Sequence, residues 1–293
     1  MNADAAMYQA KLAGRNSHRF YSGTMHAKSL ERLELETDLR DAIESERLLL
    51  HYQPKIDATT EAVVGVEALL RWHHPERGWI SPSRFIPIAE ETGSIAMLGE
   101  WVIRQACAQL KSWQGTEFDK LSLAVNISSE QFRQSGLVNF ILKTVWQTSV
   151  SPQRLELEIT ESLLMRDIDQ TIASLRSLKE AGIRLSIDDF GTGYSSLSYL
   201  KQFPLDSLKI DRSFIRDLHE DSDDAAICAA ILAMARELGL SVVAEGVELD
   251  HQVQFLRRHG CDQIQGFLYS KPLPLDQLEE FLGKKSECSW ALA

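Results

Sequence analysis

The amino-acid sequence predicts an α/β fold in which eight strands close into a (β/α)8 barrel of the triosephosphate-isomerase (TIM) type, with the first strand antiparallel to the others. Two observations predict this class. From residue 46 onward, short β-rich runs alternate with amphipathic helical patterns. Only about six residues, DATTEA, join the first run to the second, whereas a parallel crossover needs roughly a dozen or more. That junction is therefore predicted to be a hairpin, and an open doubly wound sheet is the competing topology.

The predicted elements follow one another in a regular order. Aliphatic and β-branched residues between turn signals predict strands at 48–56, 63–72, 121–128, 154–160, 183–188, 207–211, 240–247 and 263–269. Amphipathic periodicity predicts helices at 95–113, 169–182 and 223–239. The last two helices end at Gly182 and Gly239, because glycine is the common residue just past a helix C-terminus.

The first 45 residues differ from the rest of the chain. The runs NADAAMYQAKLAGRN and RFYSG resemble a short helix and a short strand that are too small to form a core, and a charged amphipathic pattern follows. We predict the end of an upstream domain over 1–25, a connecting helix over 26–45, the barrel over 46–285 and a tail over 286–293. An N-terminal extension of the barrel is the alternative for the first 45 residues.

Composition excludes several classes of protein. The 293 residues include 31 Lys and Arg against 42 Asp and Glu, a formal charge of −11, which disfavours binding to a nucleic-acid polymer or to an anionic membrane surface. An anionic substrate held by metal ions stays possible. The four cysteines form no CxxC pair, no apolar run approaches the ~18 residues of a membrane span, and no signal peptide follows Met1. We therefore expect a cytoplasmic protein with reduced cysteines.

Polar residues recur near the ends of the predicted strands. In chain order they are Glu67, Asn126, Glu158, Asp188, Asp189, Lys209, Asp211, Glu245 and Gln265. A single carboxylate at a strand end is more often a helix cap or an ion-pair partner than a ligand. A whole set at the C-terminal end of a barrel, where barrel enzymes place their active sites, favours an oxygen cage for Mg²⁺ or Mn²⁺. Two such ions would suit hydrolysis of a phosphodiester, and Lys209 would either orient the attacking water or stabilise the charge that develops on the phosphate.

The segment DDFGTGYSSLSYLKQFP connects the fifth and sixth predicted strands. Its glycine and serine content is typical of a flexible connection, and its position directly after the predicted metal-binding aspartates favours a mobile loop over the active site. A plain glycine-rich connection is the alternative.

Seven motifs together resemble the EAL-domain cyclic-di-GMP phosphodiesterases. The first, GVEALLRWHHPERGWISPSRFIPIAEETG, contains the tripeptide Glu67-Ala68-Leu69 that names the family. The others follow in the same order: NIS (126–128), EITES (158–162), IDDFGTGYSSL (187–197), LKID (208–211), VVAEGVE (242–248) and QGFLYSKPLP (265–274). The resemblance covers roughly residues 30–285. The N-terminal run resembles the last helix of a GGDEF diguanylate cyclase domain, but the GGDEF motif is absent from this sequence, so this stretch is not expected to synthesise cyclic di-GMP.

The resemblance implies a metal-dependent phosphodiesterase that converts cyclic di-GMP to linear 5′-pGpG. The residues that match the family's metal ligands are Glu67, Asn126, Glu158, Asp188, Asp189 and Glu245. Lys209 matches the lysine that holds the hydrolytic water, so Glu67, Asp188, Lys209 and Glu245 are the implied catalytic set. Two Mg²⁺ or Mn²⁺ ions per site are implied, and Ca²⁺ is expected to inhibit.

Further roles come from the same resemblance. The implied substrate contacts are Gln53, Leu70, Arg71, Asp211 and Gln265. Glu161 is implied to anchor the loop after the fifth strand, by accepting hydrogen bonds from its hydroxyl and amide groups, with Glu248 as a supporting residue; a plain helix cap is the alternative for Glu161. A homodimer is expected, with GGDEF and sensory domains upstream that could anchor a longer protein in a membrane.

Two other functions stay open from sequence. A catalytically silent cyclic-di-GMP receptor would usually have lost Glu67, Glu158 or the Asp188-Asp189 pair, and all are present. A barrel that acts on sugar phosphates through Mg²⁺ is the alternative outside the family.

Overall fold

The computed structural model describes residues 23–45, 47–134, 136–164, 167–192, 200–218 and 222–290. The predicted upstream remnant at 1–25 and the end of the predicted tail therefore lie mostly outside the described residues. The chain divides into two compact units. One comprises residues 1–49 and 71–98, and the other comprises residues 50–70 and 99–293.

Nine strands are present in the described part of the chain. They are β1 Leu48–Asp57, β2 Val63–His74, β3 Gly78–Ile80, β4 Ser122–Ile127, β5 Leu155–Thr160, β6 Arg184–Phe190, β7 Ser207–Ile210, β8 Ser241–Ala244 and β9 Gln263–Ile264.

The described helices fill most of the connections. They are α1 Gly23–Glu44, α2 Pro82–Thr92, α3 Ile95–Trp113, α4 Ser129–Phe132, α5 Leu137–Thr148, α6 Glu161–Leu164, α7 Ile168–Glu180, α8 Ser213–Arg216, α9 Ser222–Glu237, α10 Asp250–Arg258 and α11 Leu275–Trp290. The helix predicted over 95–113 has these bounds in the structure. Within the described residues, no helix has both the length and the apolar character that a membrane crossing needs.

The strands close into the predicted barrel. Around the sheet the order is β1, β9, β8, β7, β6, β5, β4 and β2, and β1 pairs with β2 to complete the ring. Adjacent strands of the ring are parallel from β2 and β4 round to β8 and β9, whereas β1 is antiparallel to β9. The short β3 pairs antiparallel with β2. The TIM-type barrel with an antiparallel first strand is thus confirmed, and the open doubly wound sheet is excluded.

Strand alternation gives this barrel a polar interior. On β5 the odd positions are Leu155, Leu157 and Ile159, which belong to the apolar core between the sheet and its helices. The even positions, Glu156 and Glu158, are also buried and point to the opposite face, because side chains alternate along a strand. The same alternation on the neighbouring strands places the polar residues inside the ring.

Two predicted strands end earlier than expected. The strand predicted over 240–247 ends at Ala244, because Gly246 has a φ of +68° and turns the chain. The strand predicted over 263–269 ends at Ile264. A Cβ on Gly266 would lie 2.0 Å from the carbonyl oxygen of Val247, so this glycine lets the backbone approach another segment too closely for a continuing strand.

The first unit contains α1, β3 and α2. Helix α1 packs on α2, and an ion pair joins Arg32 to Glu91. The buried His74 accepts two backbone N–H groups of the following turn at Nδ1, so its proton lies on Nε2, which is 3.0 Å from Asp38 Oδ2. These polar contacts fix the predicted connecting helix within its unit.

Candidate active site

The barrel places the predicted strand-end residues at one mouth. Parallel strands direct their carboxyl ends to the same side, so inward side chains at these ends converge. The converging residues, which we call the cage, are Glu67 on β2, Asn126 on β4, Glu158 on β5, Asp188 and Asp189 on β6, Lys209 on β7, and Glu245 and Gln265 just after β8 and β9. All of them belong to the second unit.

Lys209 lies at the centre of the cage. Its Nζ is 2.6 Å from Glu245 Oε1, 2.7 Å from Glu158 Oε2, 3.2 Å from Asp188 Oδ1 and 3.4 Å from Glu67 Oε2. Burial lowers the pKa of this lysine, but the surrounding carboxylates outweigh burial and raise the pKa well above its ordinary value. The ammonium therefore stays charged and offsets part of the negative charge around it.

Glu67 is held by two side-chain amides. Asn126 Nδ2 donates to Glu67 Oε1 at 2.6 Å, and Gln265 Nε2 donates to Glu67 Oε2 at 2.6 Å. Gln265 Nε2 also lies 3.1 Å from Gln53 Oε1, and Gln53 Nε2 donates to the carbonyl oxygen of Ser270. The EAL-type glutamate is thus fixed by residues from three other parts of the ring.

Three carboxylates of the cage lie close enough to share a cation. One oxygen each from Asp188, Asp189 and Glu245 lie within 4.8 Å of one another. Asp189 has a φ of +53°, and the β6–β7 pairing shifts register at this point. The irregular backbone brings the side chain of Asp189 beside that of Asp188, although adjacent strand residues ordinarily point apart. The donor set consists of oxygens, which suits a hard divalent cation.

The cage carries more negative charge than Lys209 offsets. Burial, followed by repulsion from neighbouring carboxylates, raises the pKa of Glu67, Asp188 and Asp189. The same causes raise the pKa of Glu245 to about 8. Carboxyl groups that are costly to ionise together become favourable ligands when a cation supplies the missing positive charge. The residues present therefore fit a divalent metal.

Comparison with known proteins decides the family. The EAL domain model matches residues 36–272, which is most of the chain. The chain belongs to the EAL domain family.

This EAL domain is similar to curated proteins of known type. It is 50% identical over 278 residues to the bifunctional diguanylate cyclase/cyclic di-GMP phosphodiesterase MucR of Pseudomonas aeruginosa, covering 95% of this chain and 41% of MucR. It is 46% identical over 281 residues to the cyclic di-GMP phosphodiesterase NbdA of the same organism, covering 96% of this chain and 36% of NbdA. The chain thus spans less than half the length of these curated relatives.

A solved structure has the same fold. The structure of the PaMucR phosphodiesterase in a c-di-GMP complex superposes with a TM-score of 0.81 at 50% identity, covering 84% of this chain and 99% of that chain. EAL phosphodiesterases are metal-dependent, and this EAL domain contains the acidic cluster described above.

One residue of the EAL domain's interior was missed by sequence reasoning. Lys55 on β1 is buried, and its Nζ lies 2.7 Å from Glu158 Oε1. Burial raises the pKa of Glu158, but Lys209 and Lys55 together overcome that effect and lower the pKa to about 2. Lys55 stands two residues after Gln53, on the same strand face, and this spacing is the signal that could have indicated it.

Glu161 makes part of the predicted loop contact. It is the first residue of α6 and is buried, and its Oε2 accepts a hydrogen bond from the backbone N–H of Gly191 at 3.2 Å. The hydroxyl of Thr192 donates to the carbonyl oxygen of Asp189 instead. Residues 193–199 of the predicted mobile loop lie outside the described residues, so the rest of that prediction is untested.

The remaining predicted residues lie on β2 and in the segments that follow β7 and β8. Asp211 Oδ1 accepts hydrogen bonds from the backbone and hydroxyl of Ser213 at the start of α8. Leu70 is half-buried on β2, and Arg71, also half-buried, falls in the first unit. Glu248 is exposed in the loop after β8. Their roles toward substrate and loop stay predictions.

Proposed function

We propose that this EAL domain is a metal-dependent phosphodiesterase that hydrolyses cyclic di-GMP to linear 5′-pGpG in bacterial second-messenger signalling. The observation that carries the proposal is the cage itself, because four carboxylates surround one buried lysine at the barrel mouth. The names of MucR and NbdA, and the c-di-GMP complex of PaMucR, support the choice of substrate.

The cage residues would hold the metal. The proposed ligands are Glu67, Asn126, Glu158, Asp188, Asp189 and Glu245, and the proposed ions are two Mg²⁺ or Mn²⁺, which prefer oxygen donors. When bound, the metal would supply Lewis-acid polarisation of the phosphodiester and a more acidic bound water. Ca²⁺ should bind without supporting turnover, because its looser geometry places reacting groups less strictly.

Lys209 is the proposed catalytic cation, acting with Glu67, Asp188 and Glu245. An ammonium has three donors and no acceptor, so Lys209 can orient the lone pairs of an attacking water and stabilise charge that develops on the phosphate. Its contacts with several carboxylates fix its position before substrate arrives, which supports a preorganised role.

The proposed substrate contacts are Gln53, Leu70, Arg71, Asp211 and Gln265. Gln265 supports this assignment most directly, since its Oε1 is buried and accepts no hydrogen bond from the described residues. A buried acceptor without a donor is costly, and an N–H or O–H group of the substrate would satisfy it. We also propose a homodimer, GGDEF and sensory domains upstream in a longer protein, and a cytoplasmic site of action.

Product analysis tests the proposal. Purified protein is incubated with cyclic di-GMP and Mg²⁺, and the nucleotides are separated by chromatography, with Glu67→Ala as the inactive control. We expect 5′-pGpG with Mg²⁺ and no product in excess EDTA. Full activity in EDTA would contradict the metal role. Nucleotide that binds but stays intact would instead support the silent-receptor function.

A further inference from the structure

Lys55 is a buried charge with no part in the proposed reaction. Its side chain is 1% exposed, and its Nζ lies 2.9 Å from Glu156 Oε1 and 2.7 Å from Glu158 Oε1. Burial lowers the pKa of Lys55, but the two glutamates outweigh burial and raise it above the ordinary value. A buried ammonium destabilises a protein unless nearby carboxylates compensate for its lost hydration, as Glu156 and Glu158 do here.

Lys55 holds one of the two carboxylate oxygens of Glu158, which is a proposed metal ligand. Lys55 Nζ donates a hydrogen bond to Glu158 Oε1, and Lys209 Nζ donates one to Glu158 Oε2; both distances are 2.7 Å. The terminal torsion of a glutamate is soft, so a carboxylate held at a single oxygen can rotate, whereas one held at both cannot. Glu158 therefore directs Oε2 toward Lys209, the lysine that also contacts three other carboxylates of the cage.

A second glutamate, Glu156, contacts Lys55 from the side of the N-terminal ends of the parallel strands. Glu156 precedes Glu158 by two residues on β5 and so shares its inward face. It also lines a cavity of about 360 Å³ formed at the N-terminal ends of β5 to β9. Ser207 lines the same cavity, and its buried hydroxyl has no hydrogen-bond partner among the described residues. Glu156 thus borders space large enough to hold water, which can solvate its carboxylate when a neutral residue replaces Lys55.

The number of oxygens that Glu158 offers affects which ion binds best. Mg²⁺ demands a near-ideal octahedron of six oxygens, several of them from water, and suits a carboxylate that offers one oxygen, whereas Ca²⁺ takes six to eight oxygens and readily accepts both oxygens of one carboxylate. We propose that Lys55 is a positioning residue that holds Glu158 to one oxygen toward the cage and thereby favours Mg²⁺ over Ca²⁺. This inference rests on the proposed function, in which Glu158 is a metal ligand.

Calorimetric titration with each metal alone tests the role without any turnover. The measured quantity is the Mg²⁺ preference, defined as the Kd for Ca²⁺ divided by the Kd for Mg²⁺. Losing one positive charge should strengthen the binding of both divalent ions alike, so the charge effect cancels in this ratio. We expect Lys55→Met to lower the preference about ten-fold or more, the scale of one lost charge-assisted hydrogen bond. Lys55→Arg should retain most of it.

Glu156→Gln is the matched control, since it also removes a buried charge beside Lys55 but leaves the contact with Glu158. It should lower the melting temperature and leave the preference unchanged. Should Lys55→Met not fold, Lys55→Ala answers the same question. An unchanged preference in the folded Lys55 variant, or an equal shift in Glu156→Gln, would overturn the role of Lys55. A wild-type protein that binds neither ion would overturn the proposed function instead.

Discussion

Lys209 is a residue whose burial changes what its removal should do. Strand-end residues of a barrel ordinarily lie at an open rim, where substitution leaves folding intact. Here the Lys209 side chain is 1% exposed and lies within 3.4 Å of four carboxylates. Removing its charge therefore leaves buried acids without their nearest cation.

We expect Lys209→Ala to lower turnover by ~10²-fold or more. It should also lower the melting temperature of the metal-free protein, because breaking a buried charge cluster costs about 3–5 kcal/mol. Saturating Mg²⁺ should restore the melting temperature but not turnover. Thermal melts with and without Mg²⁺ beside activity assays check this, with the exposed Lys284→Ala as control. Near-wild-type turnover in Lys209→Ala would remove the proposed catalytic role.

Glu161→Gln should impair turnover and raise the Mg²⁺ concentration needed for half-maximal activity. Glu161 accepts the N–H of Gly191, two residues after Asp189, and a charged acceptor is worth ~1.5–3 kcal/mol. Weakening that bond loosens the backbone that carries Asp189. The test measures melting temperature and Mg²⁺ dependence side by side. A variant that melts earlier, by ~1 kcal/mol of stability, and keeps wild-type activity and Mg²⁺ dependence would identify Glu161 as a plain helix cap.

The position of Gln265 in the cage depends on how the chain turns after β9. The strand has two residues, Gln263–Ile264, and the chain then passes Val247, whose carbonyl oxygen accepts the backbone N–H of Leu268. Gln265 reaches Glu67 from this turn. The placement of that amide thus depends on backbone packing, and only indirectly on strand pairing.

We expect Gly266→Ala to destabilise the protein by ~1–3 kcal/mol or more, since the new methyl group would overlap a packed backbone. The added Cβ would meet Val247 O at 2.0 Å and Val247 N at 2.3 Å. Turnover should fall as well, because Gln265 would shift with its neighbour. Chemical denaturation measures the change. Gly283→Ala is the control, because no atom of the described residues outside its own helix backbone and its two chain neighbours lies within 4 Å of its added Cβ, and it should stabilise α11 by ~0.5–1 kcal/mol. A Gly266→Ala variant as stable as wild type would refute the close approach.

At the scale of the whole molecule, the cage couples stability to pH. Burial raises the pKa of Glu245 from an ordinary 4.5 to about 8 in the folded, metal-free chain. The folded state therefore holds a proton that the unfolded state has released, so the free energy of unfolding falls as pH rises between these values. Glu158, with its pKa lowered to about 2, acts oppositely and loses its contribution as pH falls below about 4.5.

We expect the melting temperature in EDTA to decline as pH rises from about 5 to about 8, and Mg²⁺ to reduce that decline, because a bound cation takes the place of the proton. Melting curves across this range, with EDTA and with Mg²⁺, provide the measurement. A melting temperature in EDTA that rises over the same range would contradict the sign derived from Glu245.

The sequence by itself determined the end of the barrel at which the polar residues gather and the direction of its first strand. The positions of Glu67, Glu158, Asp188 and Lys209 near the ends of predicted strands indicate one shared barrel mouth, and the short DATTEA junction predicts the reversed first strand. Both are local properties, set by where each strand ends and by how far a short connection can reach. The barrel and the composition of its mouth follow from them.

Only the tertiary structure decided which side chains of the barrel interior contact one another. Lys55 contacts Glu158 across 103 positions of sequence, and it does so because ring closure brings the reversed β1 beside β9 and β2. The positive φ of Asp189 and the close approach of Gly266 to Val247 also arise from packing between segments far apart in the chain. Local periodicity fixes the side to which a residue points, whereas atomic distances between strands depend on the curvature and register of the closed sheet.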